Sequence, residues 1–428
     1  MYSSNKQSEV KQPQRRRSLG LKSSFWVAAA VAAIALWTSA APTITYPLYA
    51  AQWHLEPSAT TAIFSVYPIA LVIVLVLFGN VSDYIGRRAA ILLGLTASLA
   101  GVLLFALAPD VSWVFAGRAL MGVGVGLSLS PATAAMVEFS ALGQAKRASS
   151  ITTAATALGL ALATLVGGAL IQYAPFPTHL NFWVLFVVIA VLISAAWFLP
   201  RHTRNEDLGR WRPRLPGIPR GLRKVFIVSA VAVTAAFATG AVMMSLGDLI
   251  AADLIGSDNS LVNGSSFALF AVAVGVVAIA ARGLSASTII VLGGAFTTLG
   301  MGLLLLSAEG HSLGLFLATS VVLGAGYSLL FLGGLTVISA NAPAHHRAGT
   351  LSAVYLVAYM MQGVTASVLG AFATASGLQV ALDIGAPAIV IIGLGALALA
   401  VSIGRRPKAP IRSSDGTCAS PRVGSEMT

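Results

Sequence analysis

Twelve apolar runs divide this chain, each long enough to cross a bilayer as a helix, and only one of them holds a basic residue in its interior. They fall at about 26–50, 60–79, 89–108, 113–137, 150–172, 182–199, 225–250, 266–281, 288–307, 313–339, 350–374 and 385–404. A helix rises ~1.5 Å per residue, so about 20 residues span a hydrocarbon core of roughly 30 Å. Inside that core every backbone N–H and C=O must be satisfied internally, which only helices and closed barrels achieve. Barrel strands alternate apolar and polar residues, whereas these runs are continuous. The sequence therefore predicts an all-α membrane protein with twelve transmembrane helices. Composition agrees, with 57% hydrophobic and 9% charged residues against about 25% charged in a soluble domain.

Basic residues orient such a bundle, because they collect in short cytoplasmic loops. Of the 26 lysines and arginines, 25 lie in the two tails or the even-numbered loops, and the odd-numbered loops hold none. Those loops carry Glu56, Asp110, Asp253, Asp258, Glu309 and Asp383 instead. Both termini are thus expected in the cytoplasm, and a missed span would have scrambled the partition. The net charge of +12 is a topology signal and implies no nucleic-acid partner. The tails, 1–24 and 405–428, are expected to be solvated and weakly drawn to anionic lipid, with disorder expected over 1–22 and 405–428.

The basic N-terminus, first run and Ser39-Ala40-Ala41 loosely resemble a cleaved signal peptide, and Arg15-Arg16-Arg17 a twin-arginine signal. Cleavage would leave eleven spans and invert every loop, so an uncleaved first span is the simpler reading. Asn263-Gly264-Ser265 fits a glycosylation triplet, a pattern common by chance. The single cysteine, Cys418, lies in the tail and excludes a disulfide framework or a cysteine metal site. No cofactor is expected.

A polar, proline-bearing linker, 200–224, separates a six-helix unit at 25–199 from another at 225–404. The two share a faint repeat at an offset of 200: Gly124, Gly126 and Ser128 recur as Gly324, Gly326 and Ser328, and Lys146-Arg147-Ala148 as His346-Arg347-Ala348. Internal repeats around a midplane site are the usual plan of secondary transporters.

Between the second and third runs stands Gly79-Asn80-Val81-Ser82-Asp83-Tyr84-Ile85-Gly86-Arg87-Arg88, and the fourth contains Arg118-Ala119-Leu120-Met121-Gly122-Val123-Gly124-Val125-Gly126. The first stretch resembles motif A of the major facilitator superfamily, and the second resembles its motif B. The resemblance covers about residues 25–405, and the chain is similar to the branch of drug:proton antiporters. Departures are Tyr84, where the family prefers a basic residue, and Met121, where many drug exporters have glutamine. The fifth run keeps Gly167-Gly168 of motif C but has Ala163-Thr164 in place of Gly-Pro, which weakens the expectation of antiport. The resemblance implies a conformational latch of Gly79, Asp83, Gly86, Arg87, Arg88, Glu138 and Arg147. Gly79 would permit close helix approach and Gly86 a tight turn. Asp83 would face the start of the eleventh helix near Thr350, whose dipole favours an anion. Arg87 would pair with Asp83, and Arg88 or Arg147 with Glu138, joining the two halves.

The one basic residue inside a run is Arg118. An arginine there costs at least about 2.5 kcal/mol, so it should face a cavity or a partner, unless it snorkels to the nearby surface. At the repeat offset of 200 its counterpart is Ala318, so any cavity charge is lopsided. Gly122, Gly124 and Gly126 superficially resemble a dinucleotide fingerprint, but no strand precedes them, and close helix packing is the better reading, as it is for Gly167 and Gly168. No Walker A sequence occurs, so the driving force is expected to be a gradient. Proton coupling needs a carboxylate at depth; Asp248 and Glu138 are the candidates, both near span ends. The cavity is expected to draw on Trp37, Thr38, Tyr46, Tyr67, Met243, Met244, Tyr327, Tyr359 and Gln362. Their apolar, adaptable chemistry suits a hydrophobic or drug-like molecule better than a sugar.

The resulting expectation is a monomeric secondary transporter in the bacterial inner membrane, exporting a small hydrophobic molecule by proton antiport and alternating access. The alternative is an importer or facilitator of a metabolite, such as an organic anion bound through Arg118. A scaffold or receptor would gain nothing from a breakable latch, and no nucleophile, base and orienting acid assemble for an enzyme.

Overall fold

The structure is a computed structural model that describes residues 19–79, 81–140, 145–200, 220–257, 259–341 and 344–404. Among these described residues are twelve long helices: α1 Leu21–Ala40, α2 Pro57–Phe78, α3 Arg87–Ala106, α4 Val111–Glu138, α5 Ala145–Tyr173, α6 Leu180–Ala196, α7 Arg223–Ser245, α8 Ser260–Ala280, α9 Ala286–Glu309, α10 Leu313–Asn341, α11 Ala344–Ser376 and α12 Leu378–Gly404. No strand occurs among the described residues. Nearly all of the linker and both tails fall outside them, but Leu21 and Lys22, expected in the tail, already belong to α1.

Helices α5 and α11 begin five or six residues before the apolar runs do. Hydropathy ends where the polar Lys146-Arg147 and His345-His346-Arg347 segments start, whereas the helical backbone continues through them. The eighth run extends back to Ser260, capped by Asn259, whose Oδ1 accepts from the N–H groups of Leu261 (3.0 Å) and Val262 (3.1 Å). The seventh shortens to Ser245, followed by a short turn at Gly247–Leu249 and a π-turn at Ile250–Leu254.

The first run is broken. Pro42 has no N–H to donate to Thr38 O, and α1 stops at Ala40 before a short helix resumes at Tyr46–Trp53. Side chains take over the freed carbonyls: Thr43 Oγ1 donates to Ala40 O (2.8 Å) and Asn181 Nδ2 to Ala41 O (3.3 Å). Exposed tryptophans mark both ends of the bundle, Trp26 and Trp197 at the end bearing the basic loops and Trp113 and Trp183 at the end bearing the acidic ones, as in an aromatic belt. These ends are called the basic and acidic faces below.

The packing is two-fold. Helix α1 packs on α4 and α5 as α7 packs on α10 and α11, and across the halves α5 meets α8 as α11 meets α2. Glycines set the approach. A Cβ on Gly122 would lie 2.5 Å from Tyr67 O of α2, one on Gly126 2.9 Å from Val74, and one on Gly124 2.6 Å from Gly94 O of α3. In the second half Gly324 faces Phe270 and Ala273 of α8, and Gly326 faces Thr297 of α9. The positions that do the same job are therefore Gly122 with Gly324 and Gly124 with Gly326, a step of 202 residues, as is the step from Val111 to Leu313 at the helix starts. The sequence repeat at 200 is two residues out of register in this helix, and the counterpart of Arg118 is Ser320, not Ala318.

Candidate functional site

The break at Pro42 places the end of α1 against the interior of α4. There Arg118 is completely buried, donating from Nη1 to the backbone O of Ser39 at 3.0 Å. It does not snorkel. Its guanidinium carbon lies 4.7 Å from the ring of Tyr67 and 5.8 Å from that of Phe64. No described residue accepts from its Nε or Nη2. Six further buried polar atoms among the described residues share this condition, four of them at this break: Trp37 Nε1 and Thr38 Oγ1, in the turn that ends at Ser39, the hydroxyl of Tyr46, and Oδ1 of Asn181, whose Nδ2 donates to Ala41 O. One charged hydrogen bond is worth about 1.5–3 kcal/mol and a desolvated cation–π contact about 2. Burial of an ion costs several kcal/mol, and these contacts supply no countercharge. Among the described residues no carboxylate pairs with Arg118.

The second half presents the opposite chemistry. Phe237 of α7 touches Tyr359 of α11 edge-on at 4.7 Å and Tyr327 of α10 at 6.1 Å. Phe331 and Tyr355 close the circuit, at 6.0 Å from Tyr327 and 6.4 Å from Tyr359 respectively. Phe270 of α8 adds a ring 5.5 Å from Tyr327. This wall of rings contains no charge. Tyr327 and Tyr359 also pack against the core that holds Trp37, Tyr46 and Tyr67. Met243 is buried in the same core as Trp37, Tyr46 and Tyr67, with Met244 packed against it. Gln362 is buried one turn beyond Tyr359.

Asp248 does not join this cluster. It follows the end of α7 and lines a cavity of about 210 Å³ toward the acidic face, with Ile44, Pro47 and Leu48 from the first half and Ala252, Ser257 and Asn263 from the second. The acidic face itself is closed between α2 and α11. Ser58 N donates to Thr374 Oγ1 (2.8 Å), Ser65 Oγ to Gly363 O (3.0 Å) and Ser367 Oγ to Ser65 Oγ (2.9 Å), and Gly370 packs directly on Thr61.

At the basic face one arginine holds two acids. Arg87 Nη1 lies 2.7 Å from Asp83 and its Nε 3.1 Å from Glu138, and it also donates to Ser82 Oγ. Glu138 was expected to take Arg88 or Arg147. Arg88 instead donates to Leu199 O (3.4 Å) and sits 5.4 Å from the Trp197 ring, while the Arg147 side chain lies outside the described residues. The pairs tie the short helix Val81–Ile85 to the start of α3 and the end of α4, all in the first half, so they are not themselves a bond between halves. Gly86 has φ +89° at the cap of α3, where a side chain would be strained. The nearest atoms to a Cβ on Gly79 belong to Leu75 of its own helix, so close approach of another helix is not its role. In α5 a Cβ on Gly167 would strike Ile44, and Gly168 is buried beside it.

Sequence reasoning missed Phe64, Ser39, Phe237, Phe270, Phe331 and Tyr355. Phe64 and Tyr355 lie three and four positions from Tyr67 and Tyr359, on the same helix faces, and that spacing was a usable signal. Ser39 acts through its carbonyl and leaves none.

Known proteins fit this architecture. A POT family transporter solved in complex with 5-aminolevulinic acid superposes with a TM-score of 0.72 at 14% identity, over 90% of this chain and 96% of that one. The multidrug efflux pump LfrA of Mycolicibacterium smegmatis is 29% identical over 44% of this chain and 38% of its own. The puromycin resistance protein pur8 of Streptomyces alboniger is 31% identical over 36% of this chain and 30% of its own. The matches thus span less than half the length of these relatives. The profile of the Major Facilitator Superfamily matches residues 25–307; with twelve helices in two related bundles around a buried polar centre, the chain belongs to that superfamily of membrane transporters.

Proposed function

We propose that this transporter exports small hydrophobic organic molecules by alternating access, with its basic face in the cytoplasm of a bacterial cell. The observation that carries the reading is the uncharged ring wall of Phe237, Tyr327, Phe331, Tyr355 and Tyr359, which offers stacking area and no hydrogen-bonding set suited to a sugar. Two relatives described as a multidrug efflux pump and a puromycin resistance protein support the direction. The closed α2–α11 contact fits a conformation that loads from the basic face and must part for release. Proton antiport is the proposed coupling, with Asp248 the carboxylate placed in a cavity between the halves. The protein acts as a monomer.

The test uses purified protein in liposomes with an imposed pH gradient and a panel of fluorescent hydrophobic compounds. Flux that reverses with the gradient is expected, and Asp248→Asn should remove the proton dependence. Silence across the panel would overturn the export reading; full proton-driven flux in the Asp248 variant would place coupling elsewhere.

A further inference from the structure

We propose that Arg118, Trp37, Thr38 and Tyr46 form a subsite for the acid group of an aromatic monoanion, whose apolar body lies on the ring wall of the second half. This rests on the transport reading above and narrows its substrate class. Arg118 is fully buried, and two of its three guanidinium nitrogens have no acceptor among the described residues. Trp37 Nε1–H can only donate, and the hydroxyls of Thr38 and Tyr46 are free to do so. These side chains come from one break in one helix and the facing turn of α4, tied by the Arg118–Ser39 bond. A planar fork with spare N–H groups matches a carboxylate or sulfonate. A neutral cargo would leave the charge uncompensated, and a cationic one would be repelled by it. The described residues offer only neutral oxygens at this break, Asn181 Oδ1 among them, and no carboxylate pairs with Arg118, so the cargo supplies the countercharge.

The charge of the cargo also changes the energetics. Exporting a monoanion removes one negative charge from a negative interior, so the membrane potential adds to the proton gradient as a driving force. A potential of about 59 mV shifts such an equilibrium tenfold.

The probes are naphthalenesulfonate, permanently ionised, and its neutral sulfonamide. In equilibrium binding to the purified full chain, the sulfonate should bind at least about tenfold more tightly. Arg118→Gln should reduce it to the level of the amide while amide binding persists, which also shows that the variant is folded. Trp37→Phe, which keeps a ring and deletes one donor, should weaken the sulfonate alone by a few fold. Equal affinities in the wild type, or sulfonate binding indifferent to both substitutions, would overturn the subsite. In liposomes with equal pH on both sides, sulfonate flux should follow the sign of a potassium–valinomycin potential; flux that ignores that sign would overturn the energetic part. Selective binding without flux of any compound would uphold the subsite and sink the transport reading. Flux of the amide without sulfonate selectivity would do the reverse.

Discussion

At the scale of single residues, two arginines show how position decides value. Arg87 is partly exposed and pairs with partly exposed acids. Such pairs contribute about 0.2–1 kcal/mol each. Asp83→Asn should therefore change the unfolding free energy in detergent by less than about 1 kcal/mol, yet slow transport, because the proposed role is to bias one conformation. A transport rate equal to wild type would remove the latch role. Arg87→Lys should fall between, since a point ammonium cannot present the two forked nitrogens that reach Asp83 and Glu138 at once. Arg118 belongs to the other regime, with no solvent to absorb its charge, and its removal is read in binding rather than in stability.

The helices owe their relative positions to places where side chains are missing. Helices α3 and α4 cross where Gly94 meets Gly124 and Gly101 meets Gly117, backbone against backbone. Gly124→Val would force them apart and should destabilise the protein by about 1–3 kcal/mol, seen as a lowered melting temperature in detergent. An unshifted melting curve would show that the crossing is looser than these distances imply. The glycine spacing made this packing legible in the sequence, and the continuous apolar runs made all twelve helices so. What hydropathy could not show was where a helix ends when polar residues continue it, as at Ala344, or where it breaks inside an apolar run, as at Pro42. Nor could it supply partners across the fold. Arg118 stood out as an intramembrane charge, but its acceptor is a backbone carbonyl, and nothing in residue type announces that. The two-residue drift between the halves escaped for a similar reason: identical letters at an offset of 200 were visible, whereas equal helix faces are a property of packing.

For the whole molecule, the proposed cycle requires α2 and α11 to part at the acidic face. Ser58→Cys with Thr374→Cys, in a background where Cys418 is replaced, should form a disulfide that stops transport, and a reductant should restore it. Continued flux with the bond formed would show that release does not pass this contact. The two faces are also held by different forces. The acidic face is closed by hydroxyls on backbone and on one another, and by a glycine on a threonine, whereas the basic face is organised by ion pairs near solvent. Dissolved salt screens exposed charges over about 10 Å at 0.1 M and leaves neutral hydrogen bonds untouched. Ionic strength is thus a one-sided lever: brine weakens the ion pairs that organise the basic face and leaves the seal at the acidic face as it was.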